Sequence, residues 1–175
     1  MRRFAAGLMM LGMAMSAEAQ DRLPPPHVRA EGGMQRLVSD AARRAPAIRD
    51  WIDRLQALDV TVYVRARTFT QRDLEGRVAL LSVNGTHRYL VIELACGRAE
   101  LNQMATLGHE LFHAIEIAEE PSVVSVTTLG DFYARIGVKT GDSKGLRTFE
   151  TEAAAAAGLL ARRQLLTSTR NGNGT

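Results

Sequence analysis

Residues 101–115 read LNQMATLGHELFHAI. Apolar or small side chains recur at Leu101, Met104, Ala105, Gly108, Leu111, Phe112 and Ile115, the three-and-four spacing of one helix face. The same stretch contains His109-Glu110-Leu111-Phe112-His113. Two imidazoles four residues apart project from one side of a helix and can offer two nitrogens to a single metal ion. Glu110 lies one position round from His109, where its carboxylate can reach a water at that metal as a general base without displacing the ligands. The stretch therefore predicts a helix with a packing face and a chemical face. Only two other histidines occur: His27 in a proline-rich segment and His87 beside an Asn-Gly turn, both expected to be bystanders.

Working outward, Val60, Val62 and Val64 alternate with Thr61, Tyr63 and Arg65, the period of a half-buried strand. Two more strands, near 77–83 and 88–94, flank Asn84-Gly85-Thr86-His87, a strong hairpin signal. Upstream, Met34, Leu37, Val38, Ala41 and Ala45, then Ile48, Trp51, Ile52 and Leu55, repeat at helical spacing on either side of Pro46. Downstream, residues 126–136 read as a helix and Gly137, Gly141 and Gly145 as a loop. Thr148 offers an N-cap for a last helix running to about residue 166. The expected class is α+β: a small antiparallel or mixed sheet of about three strands against the histidine-bearing helix, with further N- and C-terminal helices.

The ends are set apart. Met1-Arg2-Arg3, the apolar run from Phe4 to Ser16 and Ala17-Glu18-Ala19 match a cleaved signal peptide over residues 1–19, which predicts export to a periplasm or medium. The run is too short to anchor the chain stably in a membrane. Pro24-Pro25-Pro26 and Gly32-Gly33 make residues 20–33 an extended, poorly packed lead-in, so the domain is expected over 34–166 and a disordered tail over 167–175. The 175 residues, 46% of them apolar, fit one folded domain. The net charge of +3 is scattered among acids, as in Arg43, Arg44, Arg49, Asp50, Asp53 and Arg54, which argues against nucleic-acid binding. Cys96 is alone, so no intramolecular disulfide can form.

A catalytic zinc site takes three protein ligands and leaves a position for water. The long motif with a third histidine fails, because Glu116 and Glu119 stand where its glycine and last histidine belong. Glu116 shares the histidine face but runs on along the helix axis, so it reads as support for a ligand or as a solvated acid. A separate helix is the better source, and Glu150-Thr151-Glu152 begins one.

With Phe132-Tyr133 on a short helix and Phe149-Glu150-Thr151-Glu152-Ala153 after it, the HELFHA stretch resembles small bacterial gluzincin-type metallopeptidases over roughly residues 55–165. The resemblance implies a zincin-like fold, one Zn2+ ion and a third ligand glutamate on a later helix. Carried over, that ligand is Glu150, which as a helical residue would share a face with the small Ala153, Ala154, Ala157 and Gly158; Glu152 remains its rival. Larger gluzincins carry an orienting aspartate four residues after the ligand, where this chain has Ala154. Their second, cleft-walling subdomain also has no room here.

These residues lead to an expected function: hydrolysis of a peptide or protein substrate, with zinc on His109, His113 and Glu150, and Glu110 as base. Tyr133 and Arg147 are candidates for stabilising the oxyanion, although Tyr133 also fits a core position beside Leu129, Phe132 and Ile136. The competing expectation is a noncatalytic binding module that keeps the same zinc ligands for stability.

Overall fold

The computed structural model describes residues 26–143 and 146–172, with no account of the side chains at 142, 143, 146, 147, 171 and 172. Residues 1–19, read as a signal peptide, lie outside the described residues, as do 173–175 of the tail. The architecture is α+β. The element order is β1 (Val28–Ala30), α1 (Met34–Arg44), α2 (Pro46–Gln56), β2 (Val60–Arg67), β3 (Gly76–Asn84), β4 (His87–Ala95), α3 (Glu100–Glu119), α4 (Val126–Ile136), β5 (Val138–Ser143), β6 (Leu146–Glu150) and α5 (Glu152–Gly172).

The sheet has four strands in the order β1-β2-β4-β3, not three. β1 runs parallel to β2 and β2 parallel to β4, whereas β3 pairs antiparallel with β4 through the expected hairpin. The extra strand comes from the lead-in: Val28 and Ala30 stand opposite Val62 and Val64 and continue their apolar row. Residues 20–33 are therefore not wholly a loose lead-in, because 28–30 belong to the sheet. Three residues were too few to show alternation in the sequence.

Period two sorts the sheet's faces. Val60, Val62, Val64, Leu90, Ile92 and Leu94 are buried against the helices. Tyr63, Arg65, Arg77 and Glu93 lie on the opposite, outer face. Pro46 separates α1 from α2 by a single extended residue, Ala45, as a proline at the first helical turn favours.

The helix α3 lies between the sheet and α5. Its buried residues run all round it, including Met104, Leu107, Leu111, Ala114, Ile115 and Ile117, wider than the single stripe read from the sequence. Each fully buried leucine or isoleucine contributes roughly 1.5–3 kcal/mol of transfer free energy. On the facing side of α5, Ala154, Ala157 and Ala161 are buried, so the two helices approach closely. Gly158 is part of this contact: a Cβ there would stand 3.2 Å from His109 Cβ.

Two boundaries differ from expectation near the C-terminus. Of the glycine-marked stretch expected as a loop, Gly137 is the C-cap of α4, Gly141 lies in β5, which pairs antiparallel with β6, and Gly145 lies outside the described residues. The last helix begins at Glu152 instead of near Thr148 and extends to Gly172 instead of about residue 166. Its N-cap is Thr151, whose hydroxyl accepts the Ala154 N–H at 3.1 Å. None of the described helices is long and apolar enough to cross a membrane.

Candidate metal centre

His109, Glu110 and His113 lie in the middle of α3, and Glu150 closes β6. The expectation that Glu150 sits on a helix is thus corrected: it is the last strand residue, paired with Val138, and Thr151 follows it as the cap. The hairpin, and not a helical turn, carries this carboxylate to the histidines. Thr151 N–H also donates to Glu150 Oε1 at 2.9 Å, fixing the side chain over its own backbone.

The structure brings His109, His113 and Glu150 together. One donor atom from each lies within 4.8 Å of the others, so the group could hold a metal ion. His109 Nε2 stands 3.3 Å from Glu150 Oε2, and His113 Nε2 stands 3.6 Å from Glu150 Oε1. The two imidazole rings are 4.8 Å apart and close to perpendicular. Glu152, the rival third ligand, is exposed in the first turn of α5 and outside the group.

Behind His113 sits a second carboxylate. His113 Nδ1 donates to Glu116 Oε2 at 2.8 Å, which leaves Nε2 to face Glu150. Thr151 Oγ1 donates to Glu116 Oε1 at 2.7 Å while accepting from Ala154, so the α5 cap also braces α3. Glu116 thereby does the orienting that Ala154 cannot. The buried Tyr133 hydroxyl lies 3.2 Å from the His113 carbonyl, 3.3 Å from Nδ1 and 3.4 Å from Glu116 Oε2. Tyr133 is thus on the Nδ1 side of the ring, away from the nitrogen that faces Glu150, and it stacks on Phe149 from β6. Arg147, the other oxyanion candidate, has a side chain outside the described residues.

The electrostatics follow from this packing. Burial lowers the His109 pKa, and the neighbouring His113 lowers it further. Burial opposes charge on His113 too, but Glu116 and Glu150 outweigh it and push that pKa up to about 9. Burial works against the Glu150 charge, and the two histidines reverse that and hold its pKa below the usual value. Desolvation forces the Tyr133 hydroxyl far above its ordinary value, so it stays protonated.

Glu110 points toward the sheet edge. It is 5% exposed, and burial, helped by the Glu150 charge, raises its pKa to about 7 against the pull of His113 and of the Val78 N–H that it accepts. Gly76 makes room for it: a Cβ there would lie 2.5 Å from Thr106 Cγ2 and 3.1 Å from Glu110 Oε1. A cleft of about 340 Å³ opens at His109 and Glu110, between Glu75 and Gly76 on one side and Gly158, Leu159 and Arg162 on the other. His27 and His87 lie outside the group; His27 Nδ1 meets the Leu55 carbonyl and His87 pairs with Asp59.

Sequence reasoning missed Gly76, the Val78 amide and Thr151. Thr151 had a readable signal, a threonine three residues before Ala154 at a helix start, but Thr148 competed with it. Gly76 and Val78 had none, since only the fold sets β3 beside Glu110.

No family model matches the chain, and no curated protein or solved structure is detectably similar to it. The gluzincin resemblance therefore rests on the residues quoted for it.

Proposed function

We propose that this protein is a zinc-dependent hydrolase acting on peptide bonds, with His109, His113 and Glu150 holding the ion and Glu110 as general base. The observation that carries this reading is the convergence of two imidazole nitrogens and one carboxylate beside a buried glutamate that opens onto a cleft. The donor set fits: tetrahedral ligands at about 2.0–2.1 Å from zinc lie about 3.3–3.4 Å apart. His109 Nε2 and His113 Nε2 stand 3.3 and 3.6 Å from the two different oxygens of Glu150, near that span, and one donor atom from each of the three residues lies within 4.8 Å of the others. Bound zinc supplies Lewis acidity, making a water more acidic and polarising the carbonyl to be attacked.

The chain's own residues supply the rest. Glu116 and Tyr133 position His113, and Thr151 positions Glu116. Glu110 lines the cleft wall, where its carboxylate can receive a proton from water and return it to a leaving amine. The open cleft between β3 and α5 suits an extended chain better than a small enclosed ligand.

The test is to strip the protein with a chelator, restore one equivalent of zinc, and follow cleavage of a diverse peptide library by mass spectrometry. Cleavage that disappears and returns with the metal supports the hydrolase. Fully zinc-loaded protein that cleaves nothing contradicts it and favours the noncatalytic module.

A further inference from the structure

We propose that the arginine-rich end of the sheet's outer face docks an acidic segment of a polypeptide partner. Three guanidiniums surround one carboxylate there. Glu93, 1% exposed, accepts from Arg65 Nη2, Arg67 Nη1 and Arg77 Nε, each at 2.6 Å, and from Arg65 Nε at 3.0 Å. Glu93, with Glu31 acting on Arg65 as well, offsets two of the three positive charges and leaves the cluster net positive. A guanidinium has five N–H donors, so most of theirs remain unspent. The three side chains keep 31–45% of their surface in solvent.

Beside this cluster a hollow of about 140 Å³ is lined by Arg67, Arg72 and Arg98 and by no aspartate or glutamate. Counting Arg65, Arg67, Arg72, Arg77 and Arg98 against Glu93 and Glu31, the patch is net cationic.

Two features favour a polypeptide over a nucleic acid. Two aromatic rings on this face already carry cations, with Arg77 5.7 Å over Phe69 and Arg29 6.0 Å over Tyr63, and Tyr89 packs against the His87 ring. The rings nearest the arginines are thus partly covered against stacked bases, whereas guanidinium forks match carboxylates. The patch also adjoins the cleft, because Arg77 follows Glu75 and Gly76 along the edge strand. A chain held on the patch can pass round the start of β3 into the cleft. That second feature rests on the hydrolase reading; the cationic surface does not.

The test uses the full zinc-loaded chain and fluorescence anisotropy with a labelled glutamate-rich peptide and its glutamine counterpart. The expected result is an affinity for the glutamate peptide at least about tenfold higher, falling as salt is added. The double variant Arg72→Glu/Arg98→Glu should lose about tenfold in affinity; it spares the Glu93 cluster, and circular dichroism checks its fold. Absent binding, equal binding of the two peptides, or an unchanged double variant overturns the proposal. So does tighter binding of a single-stranded oligonucleotide or of phosphatidylglycerol vesicles at matched salt. Charge-dependent binding without cleavage of any peptide keeps the docking surface and removes the hydrolase; cleavage without charge preference does the reverse.

Discussion

The Nδ1 of His113 donates to Glu116 Oε2 across 2.8 Å, one helical turn further along α3. A candidate metal ligand and its hydrogen-bond partner thus share one helix, and Thr151 at the start of α5 holds that partner from the other side at 2.7 Å. The candidate metal group is therefore braced by both α3 and α5.

Glu116→Gln should weaken zinc binding by about 10–100-fold, the usual cost of removing a hydrogen-bond partner of a ligating histidine. Competition with a chromophoric chelator measures it. Glu116→Asp, which keeps the charge, should recover part of the loss; affinity unchanged in both variants would remove Glu116 from the site.

Gly76→Ala should leave zinc stoichiometry intact and lower turnover by roughly 10–100-fold, because the new methyl displaces Thr106 and then Glu110. Adding Thr106→Ala should restore part of the rate by freeing that space. A single variant with the parent rate would show that Glu110 tolerates the shift.

This coupling also explains how much was legible beforehand. The helix bearing His109 and His113 could be read from residues 101–115 because its periodicity and its motif agree. The carboxylate of Glu150 could be nominated, but its element could not: Thr148 and Thr151 are both good caps, and the alanines after them signal a helix without marking its start. Only the pairing of β6 with β5 decides that Glu150 ends a strand. Glu116 was on the right face, and its contact with Thr151, 35 positions later, is a property of the fold.

Glu93→Gln should lower stability by about 1.5–3 kcal/mol at neutral pH, read from denaturant unfolding, since it removes the charge that three arginines bind. Burial opposes the Glu93 charge, and the arginines overcome it and hold its folded pKa below the usual value. The parent's advantage is therefore fully present above the ordinary carboxylate range and fades as pH falls through the lowered folded pKa. An advantage that grows on acidification would contradict the sign.

Ala161→Leu should cost about 1–3 kcal/mol by overpacking the contact between α5 and α3, where a Cβ on Gly108 would already stand 2.7 Å from Ala161 Cβ. Thermal unfolding should shift down with zinc present or absent. A variant as stable as the parent would mean the helices can separate freely.

The most direct measurement is the zinc content and turnover of Glu110→Gln. Glutamine keeps the size and the hydrogen bond to Val78 but cannot take a proton from water at neutral pH. Zinc should stay at one ion per chain while hydrolysis falls by roughly 10²–10⁴. Hydrolysis at the parent rate, with contaminating peptidases excluded, would contradict the assignment of Glu110 and the mechanism built on it.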